Sequence, residues 1–235
     1  DLGRAAPFFA VRAAKRGAPA VTRLLEGPLP VGEWEGAEGA PMPNAGLPRF
    51  RRAKFHAAYP FGQLELADDA VPLRATMQVF NPLIPGDSAR SGLPVALVRV
   101  VLRNPSRVPV RAAVAAVLPN FVGMDGFALQ PDEFRGKLDP TGAKANANTH
   151  RRAAGLEGIV LSSDGVAADH PARGTLALAT TARRGVTHRT AWAEYGWSDA
   201  LLDFWDDFSA DGKLEPRTAT TDTPTASLAV SVEVP

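Results

Sequence analysis

Adjacent carboxylates are the side chains here best suited by type to acid–base chemistry. Three pairs come into question: Asp68/Asp69, Asp132/Glu133 and Asp206/Asp207. Two carboxyl groups can divide the work of cleaving a glycoside when they stand roughly 5–5.5 Å apart for retention, or about 6.5–9.5 Å apart for inversion. Sequence neighbours are badly placed for this, because they point to opposite faces of a strand or diverge by about 100° on a helix. Each pair is therefore read as part of a turn or a solvated face. The histidines, His56, His150, His170 and His188, show no metal-ligand spacing and no recognisable acidic partner, so they are read as isolated surface or satisfied histidines. Ser88 and Ser91 lie in a Gly/Pro-bounded turn without a Gly-x-Ser-x-Gly elbow, and Asp87-Ser88 reads as turn or capping chemistry. The Gly-rich stretches match neither phosphate-loop pattern. No catalytic residue, metal ligand or cofactor is expected in this chain.

A concentration of aromatics, Trp192, Tyr195, Trp197, Phe204, Trp205 and Phe208, supports two readings. One is core or domain-interface packing. The other is a sugar-stacking platform, since a planar ring complements the apolar face of a pyranose. Part of this group falls on a predicted helix. Ser198 can cap it and Asp199 suits its positive end, while Leu201, Phe204, Trp205 and Phe208 follow at i, i+3, i+4, i+7. Asp203, Asp206 and Asp207 are placed on its other face, and Gly212 marks its end.

The elements around these groups are mostly strands. Val71, Leu73, Ala75, Met77 and Val79 alternate with polar or small residues, as do Ala226, Leu228, Val230, Val232 and Val234. Alternation of this kind is the signature of a half-buried strand. Val95–Arg103 and Val110–Leu118, joined by the turn-rich Asn104–Pro109, are expected to form a β-hairpin. Weaker strands are predicted at Phe8–Ala13, Ala20–Leu25, Arg49–Ala57, Leu156–Ser162, Gly174–Thr181 and His188–Tyr195. The 21 Gly and 21 Pro suit short strands with frequent turns and would break a helical bundle. Gly27–Pro48 and Phe127–Arg152 are read as long loops. The expected fold is an all-β antiparallel sandwich with long loops and one short helix, as a single domain over residues 1–235.

Bulk properties exclude several partners. The net charge of +1 gives no electrostatic case for nucleic acid or an anionic membrane. No apolar run approaches the ~20 residues of a membrane span. The lack of cysteine suits a reducing compartment such as the cytoplasm without fixing the location. Asp1 opens directly into a mixed segment, which reads as a trimmed or excised N-terminus without a signal peptide.

Two strings carry a family resemblance. One is Ala58-Tyr59-Pro60-Phe61-Gly62-Gln63-Leu64-Glu65-Leu66, continuing through Phe80-Asn81-Pro82-Leu83-Ile84-Pro85-Gly86-Asp87-Ser88 to Leu93-Pro94-Val95. The other is Trp205-Asp206-Asp207-Phe208-Ser209-Ala210-Asp211-Gly212-Lys213-Leu214. Together they resemble the N-terminal domain of glycoside hydrolase family 116, the β-glucosidase and non-lysosomal glucosylceramidase family. The resemblance runs from about Val21 to Pro235. It implies an N-terminal β-sandwich packed on a C-terminal (α/α)6 catalytic barrel that cleaves β-glucosides, including glucosylceramide, with retention. The family's nucleophile Glu and acid/base Asp lie on that barrel and correspond to no residue here. The implied role is a non-catalytic accessory domain, with Trp192, Tyr195, Trp197, Trp205 and Phe208 as the residues for domain docking or sugar stacking. A free-standing carbohydrate-binding module and a purely structural sandwich are the competing readings.

Overall fold

The computed structural model describes residues 6–29, 44, 46–123, 129–132, 137–140, 145–193, 199–218, 221 and 223–235. Among the described residues strands take 46% and helices 9%, mostly in antiparallel sheets without a closed barrel. That is the all-β sandwich class expected from the alternating pattern. No described helix is long and apolar enough to cross a membrane. The chain divides into two compact units, one of Asp1–Phe8 with Ala113–Ser231, the other of Phe9–Ala112 with Val232–Pro235.

The second unit opens with β1 (Phe8–Lys15) and β2 (Val21–Leu24), paired antiparallel from Ala10↔Leu24 to Ala13↔Val21. Its other sheet is a four-stranded meander of β3 (Arg52–Ala58), β4 (Phe61–Ala67), β5 (Arg74–Phe80) and β6 (Leu97–Arg103). The β3–β4 turn is Tyr59-Pro60, a cis peptide. A one-turn helix, α1 (Ser88–Ser91), interrupts the β5–β6 connection. Arg23 reaches the buried Asp68 at 3.3 Å, and the same carboxylate accepts from Ala70 N at 2.9 Å. Val71 and Leu73 are buried, yet they precede β5 in the turn that Asp68 closes, so the predicted strand begins three residues late.

The other unit carries the rest of β7 (Val110–Pro119), a short hairpin of β8 (Leu129–Asp132) and β9 (Lys137–Pro140), and a three-stranded sheet of β10 (Asn146–Ala153), β11 (Leu156–Ser163) and β12 (Leu176–Thr180). β13 (Val186–Arg189) pairs with β14 (Thr225–Val234), which neighbours β7. The helix α2 (Asp199–Asp211) lies between β13 and β14 in sequence. Ile159, Leu161 and Ala226 form a small core with Leu118 and Leu176. Asn120 is almost fully buried and donates to Ser162 O (2.9 Å) and Asn148 Oδ1 (3.0 Å), tying the end of β7 to β10 and β11.

Three expectations need correction. Val95–Arg103 and Val110–Leu118 do not form a hairpin: β6 closes the β3–β6 meander, whereas β7 belongs to a different sheet. β5 gives β6 a complete antiparallel partner, from Arg74↔Arg103 to Phe80↔Leu97. The connection after β6 is built for a crossover. Pro105 and Pro109 have no N–H for a ladder, and Asn104 holds the segment open by donating to Val108 O (2.8 Å) and Pro235 O (3.0 Å). Phe127–Arg152 is not one long loop, since it contains β8, β9 and most of β10. β10 escapes a hydrophobicity reading because its eight residues, Asn146 to Ala153, include no large apolar side chain. The strand predicted over His188–Tyr195 is confined to Val186–Arg189, and 194–198 lie outside the described residues.

Candidate functional site

The aromatic segment resolves into a core and a surface. Phe204 and Phe208, one turn apart on α2, are fully buried with ring centroids 6.1 Å apart. Trp192 stacks on Phe204 at 4.8 Å, and Phe8 meets Phe204 edge-on at 5.6 Å. The Trp192 indole N–H donates to the buried Ser227 Oγ. Trp192 and Phe208 thus have no face open to a sugar. Trp205 is half-buried, and next to it on α2 Leu202 is exposed. Tyr195, Trp197 and the predicted cap Ser198 lie outside the described residues. Gly212 ends α2 at φ 81°, where its N–H reaches Phe208 O at 2.9 Å, a helix stop that favours glycine. Asp211 Oδ1 then takes Lys213 N, and Leu214 turns back into the interior. The second signature string is therefore a helix end folded onto its own core.

Three of the paired carboxylates, Asp68, Asp69 and Asp207, are held in ion pairs. Asp69 holds the exposed Arg52, whose hydrogen bond and charge keep its carboxyl below the usual range. Asp206 is exposed, but Asp203 and Asp207 do not share a solvated face with it. They grip Arg189, whose side chain is 0% exposed, at 2.6 Å each, and Arg189 Nε donates to Glu215 O at 2.9 Å. Burial alone would raise the Asp203 pKa; hydrogen bonds from Arg217 and Arg189 outweigh it and hold the carboxyl low. The i, i+4 spacing of Asp203 and Asp207 was the sequence signal for a shared basic partner. Of Asp132/Glu133, Asp132 belongs to β8 and Glu133 lies outside the described residues.

The histidines are satisfied rather than isolated. His150 and His188 stack at 3.9 Å with their planes 5° apart. His150 Nε2 stands 3.1 Å from Glu157 Oε1, and Arg152 donates to the same oxygen at 2.8 Å. Burial, then the charge of His150, lowers the pKa of His188. His56 contacts Glu65 across β3 and β4 at 3.5 Å. Sequence spacing missed both partnerships because each depends on strand register. His170 caps a turn by accepting Ala172 N.

The first signature string occupies the exposed end of the β3–β6 sheet. Register aligns Phe55-Leu64-Met77-Val100 and Ala57-Gly62-Val79-Val98 across one face. The opposite face is polar, with rows such as His56-Gln63-Gln78-Arg99, until it reaches Ala58-Phe61-Phe80-Leu97 at the tip. Phe55 is 66% exposed, Phe61 59% and Tyr59 86%. The β5–β6 loop adds Leu83, Ile84, Leu93 and Val95, all exposed. That loop is stapled from within. Ser91 Oγ bonds both Ile84 N (2.9 Å) and Ile84 O (3.0 Å), and Asp87 accepts from Arg90 N at 2.9 Å, as capping chemistry requires. The Arg90 backbone N–H, then its side chain, keep Asp87 below the usual carboxylate range.

A family model described as beta-glucosidase 2, glycosyl-hydrolase family 116 N-term, matches residues 4–235. The chain belongs to this family. A search of curated proteins finds no match. In this family 116 N-terminal domain, the two signature strings do opposite jobs. Trp205–Leu214 locks a helix into its unit, while Tyr59–Val95 builds a rigid apolar tip that nothing among the described residues covers.

Proposed function

We propose that this family 116 N-terminal domain is the non-catalytic partner of a retaining β-glucosidase or glucosylceramidase, and that residues 1–235 serve as one domain supporting a C-terminal (α/α)6 catalytic barrel. The observation that carries the reading is the apolar tip and face of the β3–β6 sheet. Exposed apolar area of that extent marks an interaction surface rather than a solvent-facing one. Burying each large side chain there would contribute roughly 1.5–3 kcal/mol to association. The barrel is the occupant that membership of this family points to. The half-buried Trp205 on α2 offers a second docking or sugar-contacting residue. Asp68, Asp69, Asp87, Asp203 and Asp207 are tied into ion pairs, which fits a chain that leaves the chemistry to its partner.

The test is made in the full-length enzyme. Phe55→Glu combined with Phe61→Glu should release the domain to limited proteolysis and lower kcat/KM for an aryl β-glucoside at least tenfold. The isolated domain with the same changes should keep its circular dichroism. An unchanged cleavage pattern and unchanged activity would sink the proposal. So would turnover by the isolated chain that disappears on substituting one of its own carboxylates.

A further inference from the structure

We propose that His150, His188 and Glu157 form a binding site for a single divalent transition-metal ion, with zinc the natural occupant. The three residues come from three strands, β10, β13 and β11. Each offers one ligand atom, and the three atoms lie within 4.8 Å of one another. Theirs is the one such group among the described residues. A tetrahedral zinc site with bonds of about 2.0–2.1 Å sets its ligand atoms about 3.3 Å apart. The His150 Nε2 to Glu157 Oε1 separation of 3.1 Å already matches one edge of that tetrahedron. The remaining edges close by rotating two half-buried rings, a motion that leaves the strands in place.

Charge favours the same ligand. The Glu157 carboxylate is buried, and a buried carboxylate needs a compensating cation. At present Arg152 supplies it from a side chain that is largely exposed and anchored nowhere else among the described contacts. Arg152 can swing into solvent and leave the oxygen to a metal. Two imidazoles and one carboxylate select zinc, cobalt or nickel over calcium and magnesium, which prefer all-oxygen sites. The fourth position would fall to water. An ion held this way would cross-link β13 to the β10–β11 pair, so its effect would be to stiffen this unit.

The experiment uses the full 235-residue chain without a histidine tag. Calorimetry with zinc chloride should show one equivalent bound, and cobalt chloride should give the visible bands of a tetrahedral site. Zinc should raise Tm, and a tenfold excess of calcium or magnesium should not compete. His188→Ala and Glu157→Gln should each weaken zinc binding at least tenfold, whereas the exposed turn residue His170→Ala should leave it unchanged. Arg152→Ala removes no ligand and should tighten binding, which keeps the test sound if a ligand variant folds poorly. The proposal is overturned if wild type binds no zinc, if His188→Ala binds as tightly as wild type, or if Arg152→Ala weakens binding.

Discussion

Arg189 is the residue whose loss should cost this unit most. Its guanidinium is fully buried and makes three hydrogen bonds, to Asp203 and Asp207 at 2.6 Å and to Glu215 O at 2.9 Å. Arg189→Met keeps much of the stem volume and removes every donor. Hydrogen bonds to charged groups contribute about 1.5–3 kcal/mol each. Breaking a buried pair by removing one partner costs about 3–5 kcal/mol, because the other charge is left uncompensated. Asp203 would retain Arg217 at 3.1 Å and Asp207 would retain Glu215 N at 3.0 Å, so the lower end of that range applies. A loss of about 3 kcal/mol corresponds to a Tm drop of roughly 6–12 °C for a domain of this size. Urea unfolding followed by tryptophan fluorescence measures it directly. The mechanism makes a second claim: neutralising the stranded carboxylates in Arg189→Met/Asp203→Asn/Asp207→Asn should recover part of the loss. A cost below about 1 kcal/mol for Arg189→Met would refute the burial argument. A triple variant less stable than Arg189→Met would refute the uncompensated-charge argument.

Three further outcomes can be checked by similar means. The Asp203 carboxyl is held low in the folded state, so its contribution is complete above the ordinary Asp value near 3.9 and is lost as pH falls through the lower folded value. Asp203→Asn should therefore flatten the acid limb of a Tm-against-pH curve below about pH 4, and superimposable curves would exclude the assignment. In β11, a Cβ on Gly158 would fall 2.3 Å from Leu178 O and 2.6 Å from Ala179 Cα, both backbone atoms of β12. Gly158→Ala should destabilise by roughly 2 kcal/mol or more by prying β12 away, and a neutral result would mean that the strands yield freely. Trp192→Phe keeps the stack on Phe204 but orphans Ser227 Oγ at a fully buried site. It should cost about 1–3 kcal/mol, with Trp192→Phe/Ser227→Ala recovering part of that.

Much of the strand content was legible because alternation reports which face is wet. The existence of β14 and of most of β5 follows from the spacing of Val, Leu and Ala, but the wet face of β14 does not: Ser227 and Ala229, on the side read as wet, are fully buried, and Val232 on the other side is exposed. β10 was not legible: Asn146, Asn148 and His150 lie on one side of a strand that spends its polar groups on partners distant in sequence. Asn148 donates to Thr190 O and Pro224 O. His150 finds Glu157 only because β10 and β11 pair as they do. No local pattern encodes such partnerships. The same limit explains the failed hairpin between β6 and β7. Turn composition at Asn104–Pro109 announced a reversal, but whether a reversal stays in one sheet or leaves it depends on pairings made elsewhere in the chain. Here β6 pairs with β5 on one edge only and ends its sheet, while β7 is paired within a different sheet.

The carboxylates and the aromatics teach a related point about site prediction. Residue type read Asp207 as part of a turn or a solvated face and left Trp192 between core packing and sugar stacking; the structure pairs Asp207 with an interior cation and gives Trp192 the core reading. Asp207 serves an interior cation, and Trp192 is a core ring with its N–H satisfied. The exposed apolar residues that remain, Tyr59, Phe61 and Phe55, drew no attention as a surface because alternating apolar residues on strands ordinarily face a core. Their exposure became visible only when the register put them on a face and tip that no described residue covers. An apolar residue facing solvent in a well-paired sheet is costly, and the sheet is fully paired from β3 to β6. The free energy withheld from this domain's own core is what a partner surface can recover. That is why the docking proposal rests on this sheet, with Trp205 on α2 as its secondary contact.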